Sequence, residues 1–183
     1  MATPTPATLD EFLSYLNKDP SPPEQTELLD TLEGATEAAE GWHDVGPIVA
    51  REFTDRVPAD TGILLLPRKP VQSVTSATRI SDGLAYLTAA LDVDKVGGIV
   101  AGQDEIIPAG DYTVVYTAGR NPVPVSLKQA VLIIAGHHWQ TQQNSARRNR
   151  FVGSEDESGV RVSMGYLIPN RAAHLLQKHA LVP

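Results

Sequence analysis

The chain has 183 residues, no cysteine and a formal net charge of −7. That length suits one domain of ordinary size with a core of its own, and zero cysteine excludes disulfide scaffolds, thiolate zinc sites and cysteine nucleophiles. The acidity is local: residues 1–60 hold 13 Asp/Glu and 3 Lys/Arg, whereas residues 61–183 hold 9 and 12.

Met1-Ala2-Thr3-Pro4-Thr5-Pro6 has neither the basic nor the apolar region of a secretory signal. No apolar run approaches the roughly 20 residues that span a bilayer. A soluble protein made in the cytoplasm, with no membrane partner, is expected.

Thr8-Leu9-Asp10-Glu11 is a capping box. Leu9, Phe12, Leu13 and Leu16 share the face of a short helix that follows it. Ser21-Pro22-Pro23-Glu24 is a second start signal, with Ser21 as cap and proline tolerated in the first turn. Leu28, Leu32, Ala35, Ala39 and Trp42 recur at helical spacing, so this helix is expected to reach about Trp42. Its other faces carry Glu27, Asp30, Glu33, Glu37 and Glu40. By itself such a run reads as a solvated helix face.

A series of short β elements comes next. Ile48–Val57 alternates loosely, and Ile63-Leu64-Leu65-Leu66 reads as a short buried strand. Val71–Ile80 reads as a half-exposed strand, and Ser81-Asp82-Gly83 as a hairpin turn before Leu84–Leu87. Leu91–Val93 and Ile99–Val100 suggest another pair of very short strands.

The chain then centres on one unit. Thr113-Val114-Val115-Tyr116-Thr117 is β-branched or aromatic throughout and suits a strand. Gly119 ends it, and Pro122 and Pro124 form an elbow. Val125–Gln143 follows as a long helix, with Leu127, Ala130, Val131, Ile134 and His138 on one stripe. Val131-Leu132-Ile133-Ile134 makes it apolar on more than one face, so it needs several neighbours.

From Gln140 to Gly165 the chain turns polar, which reads as a long loop. It carries a basic cluster (Arg147, Arg148, Arg150) and an acidic one (Glu155, Asp156, Glu157). These are candidate contacts within the arm or between subunits. Asn170, Arg171, Ala172, Leu175, Leu176 and His179 belong to a final short helix, marginal alone and in need of a dock.

The fold expected is α+β and mainly α. It has a helical bundle of two N-terminal helices, a long central helix and a short C-terminal helix, beside a small antiparallel β region of short strands. Residues 1–142 would be the core domain, and 143–183 an extended loop with a C-terminal docking arm.

Chemistry is hard to place on this pattern. His137 and His138 are adjacent and point about 100° apart on a helix, unlike the i, i+4 pairs that hold zinc. His174 and His179 are five apart. There is no Gly-x-Ser-x-Gly elbow, no phosphate-binding loop and no dinucleotide fingerprint. Asp92 and Asp94 lack the remaining ligands of a calcium loop. No catalytic, cofactor or metal residue is expected. The rival is a small metal protein or enzyme centred on His137, His138 and His174.

Several pieces, taken in order, resemble the head–tail connector (adaptor, or head-completion) family of long-tailed phages. They are the paired acidic-faced helices, Leu64-Leu65-Leu66-Pro67-Arg68-Lys69-Pro70-Val71-Gln72-Ser73-Val74-Thr75, and the turn Asp82-Gly83 followed by Tyr86. Above all they include Val114-Val115-Tyr116-Thr117-Ala118-Gly119 through Val123-Pro124, Leu127-Lys128 and Ala130 to His138-Trp139. The resemblance spans residues 8 to about 142 and leaves the arm unmatched.

The resemblance implies a structural protein of the virion neck, a homo-oligomeric ring of about a dozen copies beneath the portal protein. Such rings close through head-to-tail contacts. The ring would extend the DNA channel, pass double-stranded DNA without sequence-specific binding and join the next neck or tail protein. No catalysis and no cofactor are implied. By the same resemblance, Asn170, Arg171, Ala172, Leu175, Leu176 and His179 would dock on the portal. The acidic face of Glu27, Asp30, Glu33, Glu37 and Glu40 would face the channel and repel phosphate. Another neck component, a stopper or tail terminator, is the neighbouring reading. The α-α opening favours the adaptor.

Overall fold

The structure, a computed structural model, describes residues 3–60, 62–86, 90–103, 106–148 and 168–180, with the backbone alone for 144–148. Among these residues there are four helices and seven strands. They divide into two compact units. One is drawn from Met1–Ala39 and Val125–His179, and the other from Glu40–Pro124.

In the first unit, α1 (Leu9–Leu16) starts where its capping box lies. The Glu11 N–H donates to Thr8 Oγ1 at 3.2 Å and the Thr8 N–H to Glu11 Oε2 at 2.9 Å. Asn17 closes the helix in the left-handed conformation at φ 52°, which asparagine tolerates. α2 (Pro22–Glu40) buries Leu28, Thr31, Leu32, Ala35, Thr36 and Ala39. Thr31 and Thr36 fit that face because each hydroxyl donates to the carbonyl four residues back, at 2.7 and 2.8 Å. The helix stops two residues short of Trp42, and His43 and Asp44 turn the chain with positive φ.

α3 (Val125–Arg148) buries Leu127, Ala130, Val131, Ile134, Ala135 and Trp139. It packs against α1 and against α4 (Asn170–Gln177). Its end lies five residues beyond Gln143. The polar stretch from Gln140 therefore begins as helix, where a loop was expected.

The second unit holds all seven strands, in two antiparallel sheets. The larger has the order β1 (Arg51–Ala59), β7 (Gly110–Ala118), β3 (Val71–Arg79), β4 (Ala85–Tyr86). The smaller has the order β2 (Ile63–Leu65), β6 (Ile99–Gly102), β5 (Leu91–Asp94). Both contribute to one core, in which Val57, Leu64, Val71, Val100, Tyr112, Val114 and Tyr116 are buried.

The α+β class holds, but the β region is neither small nor built only of short strands. β1, β3 and β7 have nine residues each. β3 keeps nearly the whole of the Val71–Ile80 stretch that reads as a strand, and β1 runs two residues beyond Val57. The helix packing is that of α3 with α1 and α4, with the strands gathered in a unit of their own. Leu65, expected in a buried strand, is 60% exposed. A run of four apolar residues carries no alternation from which to read which side chain faces out.

Candidate interaction surfaces

Strand β7 places Tyr116 in the core of the larger sheet, opposite Phe53 of β1. The Tyr116 hydroxyl donates to Asp55 Oδ2 at 2.7 Å. Arg68 pairs with the same carboxylate, and its guanidinium lies 4.6 Å from the centre of the Phe53 ring. Arg51 stands 5.1 Å from that ring and bonds both oxygens of Glu40, at 2.9 and 2.8 Å. Glu40 also accepts the Ile48 N–H at 2.8 Å. Thus Glu40, Arg51, Phe53, Arg68, Asp55 and Tyr116 form one continuous row of charge pairs and cation–π contacts.

The electrostatics follow from that row. Burial alone would raise the Asp55 carboxyl, but the hydrogen bonds from Arg68 and Tyr116 outweigh it and hold the group below its ordinary value. Burial, and then the hydrogen bond to the Asp55 carboxylate, push the Tyr116 phenol up to about 12. At the β3–β4 turn, Arg79 and then the Leu84 N–H lower Asp82 to about 2.

The elbow after β7 is tied down through the backbone. The Gly119 N–H donates to the Pro70 carbonyl at 2.8 Å, and Gln72 Nε2 to the Gly119 carbonyl at 2.8 Å. Arg120 donates to the carbonyls of Val45 and Pro47 at 3.0 and 3.1 Å. Burial draws its guanidinium below the ordinary arginine value, with the charge of Glu40 opposing. Pro70 and Pro122 follow cis peptide bonds.

The expected site residues fall into three groups. Of the acidic face, Glu27, Asp30 and Glu37 are exposed and Glu33 is half-buried. Glu37 accepts from the Thr3 hydroxyl at 2.9 Å. Glu40 is set apart, because its carboxylate is committed to Arg51 and Ile48.

Of the C-terminal helix, Ala172 and Leu176 are buried, Leu175 and His179 are half-buried, and Asn170 and Arg171 are exposed. The Ser126 hydroxyl and His179 Nε2 are 2.7 Å apart, which ties the end of α4 to the start of α3.

Of the charged arm, Arg147 and Arg148 lie in α3 without described side chains. Arg150, Glu155, Asp156 and Glu157 lie outside the described residues.

His137 and His138 have ring centres 6.4 Å apart. Burial, and then His137, lower the His138 pKa. Among the described residues no three His, Asp or Glu side chains come together in a way that could hold a metal ion. Nor is any described helix long and apolar enough to cross a membrane.

Sequence reading missed the Glu40–Arg51 and Asp55–Tyr116 pairs. Their signal is weak: an inward-facing charged residue on a strand otherwise built for a core.

No protein-family profile and no curated protein matches the sequence. Solved structures do match. A chain from the neck of an empty gene transfer agent (GTA) particle, computed with C6 symmetry, has a TM-score of 0.70 at 22% identity, covering 100% of this chain and 94% of that one. A chain from the virion of a native GTA particle scores 0.67 at 18% identity, covering 97% and 90%. One from the neck of a native GTA particle, computed with C12 symmetry, scores 0.65 at 19% identity, covering 100% and 90%. The fold is therefore shared with chains of GTA particles, two of them from the neck.

Proposed function

We propose that this protein is a structural component of the neck of a phage-like particle, and that it acts there as the head–tail adaptor. The observation that carries the reading is the end-to-end likeness to chains of symmetric neck assemblies, one computed with C6 and one with C12 symmetry. Copies would close a ring of about a dozen beneath the portal protein, extend the DNA channel and present a surface to the next neck or tail protein. The role needs no catalytic group and no cofactor.

Residues 1–142 would build the ring and residues 143–183 would form the docking arm. On the acidic face, Glu27, Asp30, Glu33 and Glu37 would line or approach the channel, where negative charge keeps passing DNA from sticking. Glu40 would brace the sheet instead. Asn170 and Arg171, with Leu175 beside them, would present α4 to the portal. Arg147, Arg148 and Arg150 would pair with acidic surface of a neighbouring copy, with Glu155, Asp156 and Glu157 as their counterparts in the arm.

Gold-labelled antibody on purified particles tests the location. The proposal expects label confined to the head–tail junction. Label spread over the capsid or along the tail would refute it.

A further inference from the structure

The smaller sheet has one face in the core and one face open. Leu64, Val93 and Val100 pair across the strands on the core side, and Leu64 and Val100 are fully buried. Residues paired across antiparallel strands point to the same face. The open face therefore carries two cross-strand rows, Ile63–Ala101–Asp92 and Leu65–Ile99–Asp94. Each row reads apolar, apolar, acidic.

Ile63, Ile99 and Ala101 are only half-covered and Leu65 is 60% exposed. Ile106, which lies against Gly62 just before β2, is 82% exposed. Asp94 is partly engaged, since its Oδ1 accepts the Val96 N–H at 3.0 Å. Asp92 is exposed and has no ion-pair partner among the described residues.

The chain contains the chemical counterpart of this face. Arg147-Arg148-Asn149-Arg150-Phe151-Val152 sets three guanidinium groups beside two adjacent apolar side chains. Only one other stretch, Pro67-Arg68-Lys69-Pro70, places two cations together, and there Arg68 is bound to Asp55.

We propose that the open face of the small sheet receives the Arg147–Val152 stretch of a second copy of this chain. Phe151 and Val152 cover Leu65, Ile63 and Ile99, while the arginines meet Asp92 and the free oxygen of Asp94. Charge pairing fixes the register, and apolar burial supplies the attraction. This inference rests on the ring reading, to which it adds the surface that accepts the arm.

The test is a methyl NMR titration of the full-length protein with a peptide of residues 145–154. Shifts at the Ile63, Leu65 and Ile99 methyls are expected. Asp92→Lys should weaken binding about tenfold, as should a peptide carrying Arg150→Glu. Leu65→Thr should weaken binding while leaving the thermal midpoint near that of the parent, since threonine suits an exposed strand position. In full-length chains, Asp92→Lys and Arg150→Glu together should restore the association that each alone reduces.

Absent shifts, or shifts elsewhere, would overturn the proposal. Rings that form on the portal but ignore Asp92→Lys would also overturn it, and would leave the ring reading standing. Peptide binding at these methyls without any ring on the portal would support this contact and sink the ring. Variants on this face that spare self-association but block capture of the portal or a tail protein would assign the face to that partner instead.

Discussion

Gly119 lies so close to Val49 that a Cβ on the glycine would stand 2.5 Å from the Val49 carbonyl oxygen. The same Cβ would be 2.7 Å from the Ala50 Cα, and Gly119 holds φ at 118°. All the nearest atoms are backbone, so none can swing aside. The end of β7 is thereby pressed against the segment that leads into β1. Gly119→Ala should cost at least about 2 kcal/mol, from strained φ and backbone displacement together. Urea denaturation measures this. A midpoint equal to that of the parent would show that the segment yields.

Glu40 and Glu27 lie on the same helix but should behave differently. Glu40→Gln keeps the shape but weakens the paired bonds to Arg51 and the bond to the Ile48 N–H. A loss of about 1–3 kcal/mol is expected for these charge-assisted, partly buried contacts. Glu27→Gln and Asp30→Asn touch exposed positions and should stay within about 0.5 kcal/mol. If the proposed channel role is right, those two changes leave folding intact and slow DNA passage or packaging. Equal melting curves for Glu40→Gln and parent would remove Glu40 from its bracing role.

Asp55 makes stability depend on acid. Its carboxyl is held below the ordinary aspartate value when folded. The folded protein therefore binds this proton less readily than the unfolded chain does. The contribution is fully present above the unfolded value near 3.8 and is lost as pH falls through it toward the folded value. Asp55→Asn should lower stability by about 1–3 kcal/mol at pH 7, with the gap to the parent closing below about pH 4. Urea midpoints between pH 3 and 7 check the sign. A gap that widens in acid would contradict it. Tyr116→Phe should cost about 1–2 kcal/mol, because it strips the hydroxyl from a packed carboxylate.

The C-terminal helix separates into two kinds of position. Leu176 is fully buried, and Leu176→Ala should cost about 2–5 kcal/mol. Arg171 is exposed, and Arg171→Glu should leave the thermal midpoint unchanged while weakening portal binding by the proposed arm. Deleting 166–183 confounds the two effects, because it also removes Leu176 and the His179 contact with Ser126. Unchanged portal binding by Arg171→Glu together with Asn170→Asp would refute the docking assignment.

Local rules made much of the fold legible. The capping box of α1 is complete within four residues, so it could be read directly and stands where it was read. The turn at Asp82-Gly83 and the β7–elbow–α3 succession also rest on near neighbours. What was not legible depends on partners far along the chain. Asp55 meets Tyr116 across 61 residues, through a strand register that no local pattern sets, and Glu40 at the end of α2 meets Arg51 across 11. Glu40 therefore read as one more carboxylate of an acidic face. Leu65 misled because Ile63-Leu64-Leu65-Leu66 lacks alternation, and the side that faces out is fixed only by pairing with Ile99.

Electron microscopy of the purified protein mixed with the portal protein tests the central claim most directly. The account predicts a closed ring of this chain seated coaxially on the portal and continuing its channel. Portal particles that carry no added density, at protein concentrations well above micromolar, would contradict it.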